Sequence, residues 1–184
     1  NLMAQARPQR VFASGGQAVN FTDFERDGKK SDIDDHSFVI IDYENSIRAN
    51  FTLNMFCADF DEEMIVSGED GRLIASEKSD FQHQQPTKTS VTIELGETGA
   101  SRKQEIGYPS IIESSGHHGS TFYEHAAFID EIEGKDVDSA TAQQGLWAIV
   151  VASAAQESIR TSEPIDIKAF LSQHDLVSTL ADAS

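Results

Sequence analysis

The chain has 184 residues, with 14 Lys and Arg against 31 Asp and Glu, a formal net charge of −17 and one cysteine. That length suits one domain spanning residues 1–184, large enough to remove roughly 70% of the unfolded surface from water and build a core without covalent staples. The charge excludes nucleic acid as a partner, since phosphate contacts need clustered Lys and Arg, and a lone Cys57 excludes an internal disulfide framework and fits a reducing, cytoplasmic setting.

No apolar stretch approaches the ~20 residues of a membrane helix, and no signal-peptide pattern is present, so a membrane is not expected as a partner. Cys57 lies in the apolar run LNMFCADF and reads as a small core hydrophobe. The opening NLMAQARPQR has no initiator Met and a helix-like start, which reads as a segment cut from something longer.

Residues 1–6 resemble the end of a helix stopped by Pro8. RVFAS at 10–14 is β-prone and runs into the turn signal Gly15-Gly16. Residues 17–35 are polar and acidic and read as an exposed loop. In HSFVIIDYENSIRANFTLNMF two β-rich runs flank Glu44-Asn45-Ser46, and Ile47, Ala49, Phe51 and Leu53 alternate onto one face of the second run. Asn45 suits a left-handed hairpin turn, whereas Ser46 is a poorer choice than glycine. EEMIVSGEDGRLIASE repeats the strand–turn–strand design around Asp70-Gly71, and SVTIEL at 90–95 adds a strand. Residues 76–88 and 96–115 read as loops with short extended pieces.

After residue 118 the period changes. Phe122, His125, Ala126, Ile129 and Ile132 or Glu133 follow three-and-four spacing, predicting a helix over about 120–133. Ser120 or Thr121 is the expected cap, with Glu124 completing a capping box after Thr121, and Gly134 ends the helix. A longer helix is predicted over 139–161, capped by Ser139 or Thr141. Leu146, Ile149, Val150 and Ala154, then Glu157 or Ser158, trace its inner face, and Pro164 confirms the stop. Trp147 reads as core or interface. IDIKAFLSQH then predicts an extended piece and a last helix. Antiparallel strands followed by helices give an α+β fold: an open, mainly antiparallel sheet with helices packed on one face. The apolar residues of two consecutive hairpins make the other face a subunit interface.

The stretch SSGHHGSTFYEH carries the candidate chemistry. In a glycine-flanked turn before a helix, His117 or His118 could act as general acid or base, and the helix start would hold the imidazole neutral. With His125 they could form a metal site, though HExxH and a second cysteine are missing. They could also be polar residues of a tight turn. Ser120 lacks the strand–GxSxG–helix context of a hydrolase nucleophile. Asp32, Asp34, Asp35 and His36 read as a solvated acidic loop before a carboxylate site. Neither GxGxxG nor GxxxxGK[ST] occurs, so the usual cradles for dinucleotide or nucleotide phosphates are missing.

Five stretches together resemble, in order and spacing, the C-terminal domain of the Gfo/Idh/MocA oxidoreductases. They are RPQRVFASGGQAVNF, DDHSFVIIDYENSIRANFTLNMF, EEMIVSGEDGRLIAS, GHHGSTFYEHAAFIDEI and DVDSATAQQGLWAIVVASAAQESIRTSEPIDI, covering roughly residues 7–168. The resemblance implies the substrate-binding and oligomerising half of a two-domain NAD(P)-dependent enzyme that moves hydride to or from a carbinol carbon of a sugar, polyol or related hydroxy compound. It implies that NAD or NADP, the catalytic lysine and the catalytic histidine belong to a preceding part, so that this fragment alone carries no catalytic, cofactor or metal residue and is inactive. It places His117, His118 and Ser120 against the hydroxyls of a small-molecule substrate, and makes the open sheet face the contact of a homodimer or homotetramer. Ser46 departs from the family pattern, where glycine is usual. Two other readings stay open: a glycosidase of the same family that uses bound nicotinamide for transient oxidation, and a free-standing oligomerising or ligand-binding module.

Overall fold

The computed structural model describes residues 4–79, 83, 87–115, 117–137 and 139–177, with His118 described by its backbone alone. Residues 1–3 of the expected leading helix, and 80–82 and 84–86 of the expected loop 76–88, lie outside the described residues. The chain forms two compact units, one made of the chain up to Phe56 with the chain from Ala140 onward, the other of Cys57–Ser139.

In the first unit, strands β1 (Pro8–Gly16), β4 (His36–Tyr43), β5 (Arg48–Asn54) and the short β10 (Ile165–Asp166) form an antiparallel sheet in the order β10-β1-β4-β5. The loop between β1 and β4 carries a small hairpin, β2 (Glu25–Arg26) with β3 (Lys29–Lys30), within the stretch expected to be loop. Val11 and Ala13 of β1 are buried beside Val39 of β4, and the alternate residues Phe12, Phe38 and Ile40 face the other way. Two-residue periodicity thus gives the sheet one covered and one open apolar face.

Helices α3 (Ala142–Thr161) and α4 (Ile167–Gln173) cover the first of those faces. Thr141 caps α3 as expected, its hydroxyl accepting from Gln144 N–H while the Gln144 side chain accepts from Thr141 N–H. Asp166 caps α4 by accepting from Ala169 N–H. Trp147, Val150, Ala154, Ala155 and Ser158 form the buried stripe of α3 and meet Ile167, Phe170 and Leu171 of α4. Each large apolar side chain in that cluster contributes roughly 1.5–3 kcal/mol by leaving water. Trp147 is therefore core, whereas Ile149, expected on the inner face, is exposed, because Val150 and Trp147 take the stripe. The close approach is made possible by Gly15, where a Cβ would stand 2.6 Å from the His36 carbonyl oxygen and 3.0 Å from Ile159.

A turn joins β4 and β5 where the sequence predicted one, but Ser46 and not Asn45 takes the left-handed region, at φ 68°, with its N–H donated to the Tyr43 carbonyl. The second unit holds β6 (Phe60–Gly68), β7 (Gly71–Ser79), β8 (Lys88–Leu95) and β9 (Ser101–Ile106) as an antiparallel meander in sequence order. Strand β9 and the one-turn helix α1 (Ser110–Glu113) fall where loops were expected, since β9 (SRKQEI) has hardly an apolar residue to give it a period. Cys57 is exposed, not a core residue: it stands in the irregular link after β5, outside the alternation that would turn it inward.

Candidate functional site

The histidine-rich turn belongs to the second unit. Helix α2 (Ser120–Ile132) is preceded by a 3-10 turn, His117–Gly119. Gly119 occupies the N-cap position at φ 101°, and no side chain caps the helix, so neither Ser120 nor Thr121 takes the expected role. The hydroxyl of Ser120 donates instead to the His117 carbonyl at 2.7 Å. A Cβ on Gly119 would lie 3.1 Å from the Ile112 side chain, which with the positive φ makes glycine the residue that fits. At its far end α2 stops as read, with Gly134 left-handed just beyond the C-cap Glu133.

His117 itself adopts φ 43°, a left-handed conformation that costs a non-glycine residue about 1–2 kcal/mol. Residues held this way concentrate at functional sites, where surrounding structure over-determines them. Here the determinants are the Ser120 hydroxyl bond and the turn at Gly119. The His117 and Ser120 side chains are both exposed. The backbone thus brings His117 and Ser120 together with His118 between them, while the His118 side chain lies outside what is described. Left-handed Gly119 also interrupts the helix between His118 and His125, so those two do not sit on one continuous helix face.

With its proton committed to the His117 carbonyl, the Ser120 oxygen keeps lone pairs to accept from an incoming hydroxyl. The His117 imidazole can donate from one nitrogen and accept at the other. Such a pair suits orientation of a polyhydroxylated molecule. Two aromatic side chains stand in the same unit: Tyr123 lies in the first turn of α2, and Tyr108 follows β9, with ring centroids 5.1 Å apart.

A second arrangement escaped the sequence reading. Asp35 is not part of a solvated acidic loop; it is 0% exposed. Its carboxylate accepts from the backbone N–H groups of Ala18, Val19 and Asn20 and lies 2.8 Å from His36 Nδ1. Burial pushes the Asp35 carboxyl up, but the His36 bond and the three backbone N–H groups outweigh it and hold the group well below the usual carboxylate range. The signal that could have found it is its place immediately before the buried alternation of β4. Asp32 remains exposed and Asp34 half-buried, so only one of the acids is recruited.

A third polar group sits on the open face of the first unit's sheet. Asp42, 8% exposed, receives Arg10 and Arg48 in a shallow depression of about 340 Å³ that also takes in Glu44 and Asp166. Three carboxylates against two guanidiniums make it unsuited to an anion. It ties β1, β4 and β5 together.

Every strand pairing described is antiparallel. A dinucleotide pyrophosphate is cradled by a glycine-rich turn within a parallel βαβ unit. The residues described here do not fit that group.

The sequence matches the family described as "Oxidoreductase family, C-terminal alpha/beta domain" over residues 5–167. No curated protein matches it. Among solved structures, a provisionally assigned NADPH-dependent oxidoreductase from Desulfitobacterium hafniense is similar with a TM-score of 0.57 at 16% identity, over 90% of this chain and 44% of that one. An aldose-aldose oxidoreductase from Caulobacter crescentus, complexed with glycerol, gives 0.54 at 14% identity over 88% of this chain and 42% of its own. An oxidoreductase from Agrobacterium radiobacter in complex with NAD+, L-tartaric acid and magnesium gives 0.53 at 15%, over 90% and 45%. These likenesses show a shared fold, and the chain spans less than half the length of each.

Proposed function

Because the chain belongs to this oxidoreductase family, as its C-terminal alpha/beta domain, we propose that it is the substrate-binding and self-associating domain of an NAD(P)-dependent oxidoreductase acting on a sugar, polyol or related hydroxy compound. The family match over residues 5–167 carries this reading. The solved relatives bound to glycerol and to NAD+ with L-tartaric acid give it direction, since both organic ligands are hydroxy compounds. The nicotinamide and the proton-transferring groups are assigned to another part of the whole protein, in keeping with the length of those relatives. Residues 1–184 are taken together as one domain of that protein, working in the cytoplasm.

In this proposal His117, His118 and Ser120 bind and orient. Ser120 accepts from a substrate hydroxyl, and the imidazole of His117 donates to or accepts from a neighbouring one. The carbinol carbon is thereby held still while hydride leaves or arrives. Nicotinamide, when bound to the whole protein, supplies the hydride acceptor or donor.

The test is a dehydrogenase assay of the full-length protein on a panel of sugars, polyols and hydroxy acids with NAD and NADP, repeated with His117→Ala and His118→Ala. Turnover in the wild type with KM raised in the variants is the expected result. A full-length protein that oxidises none of them with either nicotinamide sinks the reading.

A further inference from the structure

We propose that Asp27 is a site of spontaneous isoaspartate formation, and that Asp70, in the same dipeptide, is protected from it by the fold. The product belongs to the substrate class of carboxyl methyltransferases that act on β-linked aspartyl residues. The inference is independent of the oxidoreductase reading.

Aspartate followed by glycine occurs twice in the sequence, in Arg26-Asp27-Gly28-Lys29 and in Glu69-Asp70-Gly71-Arg72. Both pairs can undergo the same reaction. The backbone nitrogen of the glycine gives up its proton and bonds to Cγ of the preceding carboxyl, whose oxygen leaves as water. A succinimide ring results. Water then reopens it: attack at Cγ restores aspartate, while attack at the α-carbonyl carbon leaves the chain running through Cγ. One water is lost and one regained, so no oxidant or reductant takes part and the mass does not change. Glycine favours the first step, because no Cβ obstructs the approach and its backbone rotates freely.

The surrounding backbone separates the two sites. Asp27 and Gly28 form the loop of the β2–β3 hairpin, both left-handed, at φ 52° and 75°. Only two residue pairs close that hairpin, Glu25 with Lys30 and Arg26 with Lys29, and it has no third strand. Such a ribbon is marginally stable in water. The Asp27 side chain is 92% exposed, and a Cβ on Gly28 would meet nothing within 4 Å. The turn can therefore open and let the Gly28 nitrogen swing onto Cγ while the rest of the fold stays in place.

Gly71 is built in. It pairs with Gly68 of β6 and with Leu95 of β8, and the Asp70 carbonyl accepts from Gly96 N–H at 2.9 Å. A Cβ there would stand 2.0 Å from the Glu94 carbonyl oxygen, so β8 closes the space around it. Turning the Gly71 nitrogen toward the Asp70 carboxyl disrupts a four-stranded sheet. Reaction at Asp70 waits for a much larger opening.

The lesion at Asp27 is also confined. A β-linkage adds one backbone atom to a loop whose geometry a two-residue turn fixes, so β2 and β3 come apart. The base of the loop stays fastened, since the Asp35 carboxylate holds Ala18, Val19 and Asn20 and the Asp35 N–H donates to the Gly16 carbonyl.

The full-length protein is aged at neutral pH, natively and in urea, beside Asp27→Glu, whose longer side chain disfavours the ring. Isoaspartate is read by methyl transfer from S-adenosylmethionine with an isoaspartyl methyltransferase, and is placed by electron-transfer fragmentation of chymotryptic peptides. In the native protein, methyl acceptance at Asp27 should exceed that at Asp70 about tenfold or more, and it should be lost from that position in Asp27→Glu. Asp27→Asn suits the same turn and should pass through the same imide faster, with the mass gain of one deamidation. The aged protein should melt within about 2 °C of the fresh one. In urea the two sites should react alike.

No isoaspartate at Asp27 in the aged native protein overturns the proposal, as does an equal amount at Asp70. A difference that persists in urea assigns the selectivity to neighbouring side chains and overturns the protection by the fold. An aged protein that melts far lower overturns the confinement of the lesion.

Discussion

The Asp35 carboxylate and the His36 imidazole are neighbours in sequence, 2.8 Å apart through Nδ1, yet Asp35 is fully buried while the His36 side chain keeps 28% of its surface. The bond fixes the imidazole, with Nδ1 donating to the ionised carboxylate. Asp35 also accepts from Ala18, Val19 and Asn20, and its own backbone N–H donates to the Gly16 carbonyl. One carboxylate thus gathers the loop after β1 onto the start of β4.

The pH dependence follows from the sign of the shift. The folded Asp35 carboxyl titrates below its unfolded value of about 3.9. Its contribution is therefore fully present above that value and is lost as pH falls below it toward the folded one. Asp35→Asn should melt lower than the wild type at pH 7, and the gap should narrow as the pH is taken from 5 to 3. Thermal melts across that range check it; a gap that stays constant with pH removes the ionised carboxylate from the explanation.

Ser158 should behave as a structural hinge pin between helix and sheet. Its hydroxyl accepts from Ala13 N–H at 2.9 Å and donates to the Glu163 carbonyl at 2.7 Å, with no exposure at all. Ser158→Ala leaves the buried Ala13 N–H without its acceptor, at a cost of about 1–3 kcal/mol. Each kcal/mol lowers Tm by roughly 2–4 °C in a chain of this size. Ser172→Ala removes an exposed hydroxyl bond within α4 and should stay within about 0.5 kcal/mol. Urea denaturation of the pair separates burial from mere hydrogen bonding.

The β6–β7 hairpin contains its own control. A Cβ on Gly71 would fall 2.0 Å from the Glu94 carbonyl oxygen of β8, whereas one on Gly68, paired directly across the turn, meets nothing within 4 Å. Gly71→Ala has to push β8 away, an overpacking cost of about 1–3 kcal/mol or more, while Gly68→Ala should be close to neutral. Equal melting temperatures for the two variants would contradict the close approach.

Ser46 and Asp35 show what the sequence could and could not disclose. The place of the turn at Ser46 was legible because local rules govern it, two β-rich runs flanking Glu44-Asn45-Ser46, but the left-handed residue was expected at Asn45 and falls on Ser46 at φ 68°. The Thr141 cap, the stop before Pro164 and the last helix were legible for the same reason, though the Asp166 cap on that helix was not foreseen. Asp35 was not, since its partners are backbone groups 15–17 residues away that no spacing announces. The histidine turn was half legible. Its glycines signalled an irregular helix start, but the use of the Ser120 hydroxyl on the His117 carbonyl in place of a cap depends on the positive φ at Gly119. Strand β9 and exposed Cys57 were missed because apolar alternation is weak in one and interrupted at the other. Ser46→Gly should relieve the left-handed strain and stabilise the chain by about 0.5–1 kcal/mol.

The open face of the first unit's sheet carries the last prediction. Phe12 lies directly across from Ile40, Phe38 is one step along β4 on the same side, and the three are 39%, 52% and 56% exposed in the order Phe12, Ile40, Phe38. Helices α3 and α4 already cover the opposite face, so they offer this one nothing. Aromatic and branched residues clustered this way lose free energy to water, and a second copy of the chain presents the same residues in return, as a two-fold contact requires. Phe38→Glu places two like charges near the symmetry axis of such a contact while leaving the buried face, Val11, Ala13 and Val39, untouched. Sedimentation at micromolar concentration should therefore show a wild-type oligomer and a smaller Phe38→Glu species of unchanged helical content. A wild type that sediments as a monomer throughout would remove self-association from the reading of this face.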